Sequence, residues 1–353
     1  EFRRVLFRSF TPVPFFRKIL RIIPLKTLVL LAPILMVSCT SLTVLFGQIS
    51  DEQPWWTLAL CCIAIFMIGV SGTLQQLCYT NLFFRYSNVE VSLFNSGLAI
   101  SGILTAIVAF LQLLVFPGHS LFKQSLWYEL FQLLSTIFII TISRLYFSRN
   151  TWITKNTGLG EDHGIETRES KPQFDKEVST ISTVQQSRPT FWETYKLIHS
   201  LSSSLFFLFT ISMSVNPPIS LIIGLPIDEK LSTQVLLITY HVANLLGNSS
   251  VSFIAIKNIY FNYFGPMSIV LCAAMGVYGT RHIPVDDTNH WMYTMTLSAM
   301  AGFLTGHFNS LLFYTSSVRA GPVHLDNASL IMVTSLLVGL LYGSTVNLVS
   351  FRE

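Results

Sequence analysis

The feature that most constrains this chain is a series of apolar stretches, each long enough to cross a lipid bilayer as a helix. A hydrocarbon core about 30 Å thick needs about 20 mostly apolar helical residues, and backbone polar groups within it must be satisfied internally. Barrel strands are only about 10 residues long, so these stretches predict helices. Nine occur, at about 27–47, 56–82, 91–116, 126–143, 197–224, 231–256, 262–280, 290–316 and 328–350. The sequence therefore predicts an all-α, polytopic transmembrane bundle.

Composition excludes the other broad classes of protein. Of the 353 residues, 51% are hydrophobic and 11% are charged, whereas a soluble domain has about 25% charged residues. A soluble globule of this composition would lack the polar residues needed to cover its surface, so the expected partner is a lipid bilayer. The net charge of +4 arises from connecting segments, so nucleic acid is not an expected partner. The five cysteines lie in apolar runs without a CxxC pair, so neither a metal site nor a disulfide framework is expected.

One long hydrophilic stretch divides the chain. Residues 148–193 are rich in Lys, Arg, Glu, Ser and Thr and show little hydrophobic periodicity, which predicts a disordered loop. The loop separates four predicted helices within 10–147 from five within 194–353. Residues 1–9 begin with the Glu-Phe pair that a common cloning-site linker encodes, and we interpret them as a cloning or assembly scar that precedes a chain whose earlier helices are missing.

The placement of Lys and Arg predicts the orientation. With the 148–193 loop in the cytoplasm, nine basic residues outside the loop and the scar fall on the inner side and four on the outer side, as the positive-inside rule favours. The carboxyl terminus is then extracellular, and we expect the plasma membrane. The inner residues are Arg17, Lys18, Arg21, Lys26, Arg85, Arg144, Lys196, Lys257 and Arg319, and the outer ones are Lys123, Lys230, Arg281 and Arg352.

Polar side chains within predicted spans carry the functional signal, because such groups are costly in lipid and usually face the bundle interior or a wet cavity. His241, Asn244 and Asn248 have i, i+3, i+7 spacing and share one helical face. This face suits a neutral polar solute, and it equally suits interhelical hydrogen bonds that hold a bundle together. For Asn95, Asn309 and Asn347 the packing interpretation is favoured. The predicted substrate-binding residues are Gln75, Gln76, His241, Asn244, Asn248 and His307.

Small residues on the same helices predict close helix packing. Two pairs have the GxxxG spacing that lets helix backbones approach each other, and a third pair lies in the stretch at 91–116. The helix-packing residues are Gly97, Gly102, Gly302, Gly306, Gly339 and Gly343. No metalloprotease, hydrolase or nucleotide-binding motif occurs in the sequence, so an enzyme is not expected. No carboxylate lies at the centre of a predicted span, which favours facilitated diffusion over proton coupling.

Four stretches, taken in order, resemble the equilibrative nucleoside transporters. The run Asn-Ser-Gly-Leu-Ala-Ile-Ser-Gly at 95–102 is similar to the family's glycine-rich fifth-helix segment, and Gly-Thr-Leu-Gln-Gln at 72–76 is similar to its fourth-helix segment with a substrate-contacting Gln. The run 240–248 resembles the eighth-helix pattern FNxxDxxGR. The segment 306–311, with the Arg319 loop and the helix around 339–343, is similar to the last two helices. The likeness spans residues from about 16 to 350.

The resemblance implies a fold and a function. The family has eleven helices in a major-facilitator-like arrangement, of which about nine would be present here, with a cytoplasmic loop after helix six and an extracellular carboxyl terminus. It implies alternating-access transport of a nucleoside or nucleobase without a cofactor. The family's helix-eight Asp and Arg correspond here to Asn244 and Asn248, so both charges are absent together and no buried charge is left unpaired.

The absence of this charged pair keeps other functions open. Asn still donates and accepts hydrogen bonds, so a nucleobase or another polar solute, such as an amino acid or a sugar, is an alternative substrate. A non-transporting membrane scaffold, whose long loop recruits partners, is the alternative from another functional class.

Overall fold

The computed structural model describes residues 88–115, 189–215, 229–253, 263–282 and 288–350, together with isolated positions between 27 and 80 and between 133 and 141. In this part of the chain the regular elements are helices and no strand occurs, which confirms the all-α prediction there. The predicted spans 27–47, 56–82 and 126–143, residues 1–9 and most of the 148–193 loop lie outside the continuously described residues. The helices are α1 (Asn88–Val115), α2 (Phe191–Val215), α3 (Glu229–Ser250), α4 (Phe264–His282) and α5 (Thr288–Ser350).

Helix α5 is a hairpin of two arms, 288–320 and 322–350, that meet at a single residue. Gly321 has φ 65° and ψ 172°, a conformation open to glycine and strained for other residues, and Pro322 suits the first turn of the next helix. Thr305 and Gly339 lie nearly equally far along the chain from this turn, and both contact the same level of α2. The arms are therefore antiparallel. The sequence predicts two spans here, 290–316 and 328–350, joined by a loop, and the structure replaces that loop with a turn at the Gly-Pro pair.

Helix α2 begins at Phe191, six residues before the predicted span, because a capping box fixes its start. The Glu193 amide donates to Thr190 Oγ1 at 3.3 Å, and the Thr190 amide donates to Glu193 Oε2 at 2.8 Å. These reciprocal bonds satisfy two amides that a helix start otherwise leaves without partners. The Thr-x-x-Glu spacing is visible in the sequence, and it places the first turn of α2 within the last residues of the predicted loop.

Two pairs of helices run parallel at a constant offset in residue number. Helix α3 lies along the first arm of α5, where Leu236 meets Ser298 and Asn248 meets Ser310, each pair 62 residues apart. Helix α2 lies along the second arm in the same way, with an offset of 133 residues seen at Thr194 and Asn327. Helices α1 and α4 run in the opposite direction to α3 and the first arm. From α2 to the second arm of α5, successive helices thus alternate in direction, as successive crossings of one layer require.

Glycines set the distance between α3 and the first arm of α5. A Cβ atom at Gly302 or Gly306 would overlap the carbonyl oxygens of Tyr240 and Asn244, and one at Gly247 would overlap the Phe303 carbonyl in return. Only residues without a side chain allow this approach. Gly339 and Gly343 pack on the carbonyls of Phe206 and Thr210 of α2 in the same manner, whereas nothing lies within 4 Å of a Cβ built at Gly97.

The apolar surface of the described helices indicates a membrane protein. Three helical segments are long and apolar enough to cross a bilayer: Ser92–Leu111, Phe191–Ser214 and His290–Val346, the last of which contains both arms of α5. Each arm alone exceeds the about 20 residues that a crossing needs. Helix α3, which carries His241, Asn244 and Asn248, is not among the three. Large apolar side chains such as Leu104, Leu271 and Leu341 are exposed on the outside of the bundle, where lipid would cover them.

Substitution of Gly306 tests the close contact of α3 with α5. We expect Gly306→Ala to push the Asn244 backbone away and to destabilise the protein by on the order of 1–3 kcal/mol. Gly97→Ala is the matched control, because its Cβ meets open space and alanine favours a helix over glycine. Thermal midpoints in detergent, read by fluorescence-detected size exclusion, compare the two variants. Equal midpoints would show that the contact is not needed.

Candidate functional site

A ring of hydrogen bonds joins α1, α3 and the first arm of α5. Asn95 Nδ2 donates to Ser310 Oγ at 3.1 Å, Ser310 Oγ donates to Asn248 Oδ1 at 2.7 Å, and Asn248 Nδ2 donates to the Asn95 carbonyl at 3.2 Å. Asn248 is 1% exposed. Because each helix supplies one of these residues, the ring holds three helices together within an apolar bundle. We call Asn95, Asn248 and Ser310 the polar ring.

Serine hydroxyls extend the polar ring along the seam between α1 and the end of α3. Ser92 Oγ donates to the Asn248 carbonyl at 2.6 Å and accepts from Ser252 Oγ at 3.1 Å. The hydroxyls of Ser96 and Ser249 lie 3.2 Å apart. The start of α1 is therefore joined by hydrogen bonds to the end of α3, and the polar groups at this end of the seam are paired with one another.

Asn244 lies one helical turn before Asn248 and is less enclosed. Its Oδ1 accepts the second Nδ2 hydrogen of Asn248 at 2.7 Å, and its side chain is half-buried. Its own Nδ2 group has no hydrogen-bond partner among the described residues. Asn244 thus retains donor capacity that Asn248, with both donors and its oxygen engaged, does not have.

His241 lies a further turn along α3, where the seam changes character. Its ring packs against Gly102 of α1, and a Cβ at Gly102 would come within 2.5 Å of His241 Nδ1. The ring also makes an edge contact with Tyr240, at 5.4 Å between centroids. Within the described part of the chain no hydrogen bond engages its nitrogens. The middle of the seam therefore contains an imidazole that packing contacts hold in place, without a hydrogen bond to a described residue.

His307 on the first arm of α5 is bound more firmly. Its Nδ1 lies 2.7 Å from Ser250 Oγ, and its ring stacks on Phe303 at 6.1 Å between centroids. Since this side chain is buried, the contact couples α5 to the last turn of α3 beside the polar ring.

The predicted substrate-binding residues are thus partly brought together. Asn244 and Asn248 are hydrogen-bonded, His241 continues their stripe, and His307 lies beside them through Ser250. Gln75 lies outside the described residues, and Gln76 is described only at an isolated, half-buried helical position. Whether any of these residues binds a solute remains a prediction.

Three serines and one glutamine of the seam are not among the functional residues predicted from the sequence. Ser92, Ser96 and Ser310 complete the polar seam, and the i, i+3, i+4 spacing of 92, 95 and 96 placed the first two on the face of Asn95. Gln234 lies on α3 seven residues before His241, and its Oε1 is buried with no hydrogen-bond partner in the described part of the chain. Its position on the stripe was visible from the heptad spacing 234, 241, 248.

Comparison of the chain with family models and with curated proteins finds no match. Among the described residues no group of three His, Cys, Asp or Glu side chains is arranged to hold a metal ion.

Replacement of Asn248 tests how much the polar ring contributes to the stability of the protein. Asn248→Leu removes three side-chain hydrogen bonds and leaves buried partners unsatisfied, at about 1–3 kcal/mol for each such group. Asn244→Leu removes one hydrogen bond at a half-buried position, so we expect the thermal midpoints to fall in the order wild type, Asn244→Leu, Asn248→Leu. A reversed order would mean that the ring does not hold the helices together.

Proposed function

We propose that this protein transports nucleosides or nucleobases across a membrane by facilitated diffusion, as a divergent relative of the equilibrative nucleoside transporters. The observation that supports the proposal most is the polar seam between α1 and α3, along which fewer and fewer side chains are hydrogen-bonded. It is closed by hydrogen bonds at Asn248, and at Asn244 and His241 it retains hydrogen-bonding groups that no described residue engages. Polar groups enclosed between helices are costly unless they have a partner. A polar solute supplies that partner in the middle of the seam.

The position of the seam in the chain supports an alternating-access mechanism. Helix α1 comes from the amino-terminal side of the long hydrophilic segment, and α3 and α5 come from its carboxyl-terminal side. In the proposed architecture of eleven major-facilitator-like helices, about nine of them in this chain, these blocks form two bundles that rock about a central site. The seam is where the bundles meet, so opening it at one end and closing it at the other exposes the site to each side in turn.

The polar ring serves in this proposal as the closed end of the pathway. It lies where α1 begins and α3 ends, which the distribution of Lys and Arg places on the cytoplasmic side. Neutral amide and hydroxyl groups suit a gate, because each bond broken on opening is replaced by one to water at small net cost. The long loop is then cytoplasmic, the carboxyl terminus is extracellular and the membrane is the plasma membrane.

The asparagine pair at 244 and 248 bears on the choice of solute. Neutral side chains offer donors and acceptors without favouring a charged group. Uncharged solutes with several hydrogen-bonding groups fit this chemistry, and nucleosides and nucleobases are such solutes. Gln76, with Gln75 next to it, would contribute from the preceding predicted helix, and His307 from α5. No cofactor is needed, since a uniporter requires only two states of similar energy.

One observation favours the second candidate, a membrane scaffold that does not transport. The Asn248 side chain is fully engaged by the Asn95 carbonyl and by the side chains of Asn244 and Ser310, as expected of a residue that serves packing. In a scaffold the seam would stay closed and the long hydrophilic segment would bind partners.

Uptake of labelled adenosine, uridine and hypoxanthine distinguishes the candidates. We expect transport-deficient cells that express the protein to take up at least one of these solutes down its gradient, and Asn244→Leu to abolish uptake while the protein still reaches the surface. Val242→Leu, on the exposed face of the same helix, is the matched control. Surface expression without uptake of any of the three would contradict the transport function.

A disulfide across the closed end tests the gate. The hydroxyls of Ser96 and Ser249 lie 3.2 Å apart, so Ser96→Cys combined with Ser249→Cys places two thiols within bonding reach. We expect oxidation to stop uptake and reduction to restore it, with each single variant unaffected by oxidant. Full uptake by the cross-linked protein would show that this seam does not open during transport.

A further inference from the structure

The stripe of polar residues on α3 continues beyond the residues assigned to the solute above. Gln234, His241 and Asn248 are spaced by seven residues, which is close to two helical turns, so they lie along one face. Contacts with α1 confirm this alignment at two of the three positions: Asn248 meets Asn95, and His241 meets Gly102. The face that carries Gln234 is thus the face toward α1.

The antiparallel register of α1 and α3 defines what lies opposite Gln234. Gly102 of α1 faces His241 of α3. Because the helices are antiparallel, a step of seven residues forward on α1 and seven residues back on α3 brings Ala109 opposite Gln234. Ala106 and Ala109 have no side-chain donor, and the backbone amides of α1 are used within the helix. At the level of Ala106 and Ala109, α1 therefore offers Gln234 Oε1 no hydrogen to accept, in agreement with the burial of this oxygen without a partner among the described residues.

A buried amide oxygen without a donor is uncommon and calls for a physical explanation. The other amide of the stripe shows what a satisfied site looks like, since Asn248 has a partner for each donor and for its oxygen. Hydrogen-bond satisfaction thus falls along the stripe from Asn248 through Asn244 and His241 to Gln234. Within the stripe on α3 the unengaged groups are contiguous and occupy the part away from the closed end, whereas on α5 the Asn309 Oδ1 atom, next to Ser310, is likewise buried without a partner among the described residues.

We propose that Gln234 is a specificity-determining residue of the transport site, whose Oε1 accepts a hydrogen bond from an N–H or O–H group of the solute. This inference rests on the proposed transport function and adds a contact to it. Gln234 and His241 are about 10 Å apart along the helix axis, so a solute that reaches both has hydrogen-bonding groups at its two ends. A nucleoside has this form, with donors on the base at one end and on the ribose at the other.

The test compares uridine with four analogues that each lack one donor: 2′-deoxyuridine, 3′-deoxyuridine, 5′-deoxyuridine and N3-methyluridine. In the wild type, the analogue that lacks the donor to Gln234 is expected to be transported with a KM about tenfold higher than uridine, the loss typical of one buried hydrogen bond. Gln234→Met keeps the length of the side chain and removes the acceptor. It should raise the KM of uridine to the level of that analogue, leave that analogue unchanged, and preserve the ranking of the others.

Controls separate this role from packing. Ser298→Ala removes a hydrogen bond from α5 to the Leu236 carbonyl of α3 at 3.0 Å, so it perturbs the same part of α3 and should lower stability without changing the order of the analogues. Gln234→Ala carries the same expectation as Gln234→Met and replaces it if the methionine variant does not reach the membrane. If the wild type takes up hypoxanthine and not uridine, N-methylated hypoxanthines take the place of the uridine analogues.

The outcomes for Gln234 and for transport are distinguishable. If the wild type transports none of these solutes, the proposed function fails. If the wild type transports them and the Gln234 variants change every KM by one common factor, or change none, the transport function stands and the role of Gln234 is wrong.

Discussion

The close backbone contact between α3 and the first arm of α5 is the constraint on which the rest of the described structure depends. Gly247, Gly302 and Gly306 allow the two backbones to approach until each glycine lies against a carbonyl group of the other helix, where a Cβ atom would not fit. At that distance Ser310 reaches Asn248, and the constant offset of 62 residues holds over the length of the contact. A larger separation would take Ser310 out of hydrogen-bonding reach of Asn248.

Hydrogen bonding has a different role at the two ends of the seam between α1 and α3. At Asn248 the polar groups satisfy one another, so this end is stable without water or solute. Toward Gln234 they do not among the described residues, and the unmet capacity of Asn244, His241 and Gln234 is the physical basis of the proposed solute site. A bundle that served packing alone would gain more from apolar side chains at these three positions, since unsatisfied polar groups oppose folding.

Much of the helical architecture was predictable from the sequence, because hydrophobic length and helical periodicity are local properties. The stretches at 91–116, 290–316 and 328–350 correspond to α1 and the two arms of α5, and the shared face of His241, Asn244 and Asn248 follows from their spacing alone. The boundaries were less predictable. The start of α2 at Phe191 depends on a capping box, and the turn at Gly321 on one backbone conformation.

The sequence by itself determined that this chain forms long apolar helices and that a few uncharged polar side chains lie within them, since both follow from residue type and spacing. Only the tertiary structure decided which of those side chains are satisfied. Asn248 and Gln234 lie on the same stripe and are similar in chemistry, yet the side chain of Asn248 is fully hydrogen-bonded and the Gln234 oxygen has no donor among the described residues. The reason is that a hydrogen-bond partner from another helix depends on the register and distance of that helix, which residues far away in the chain set through their packing.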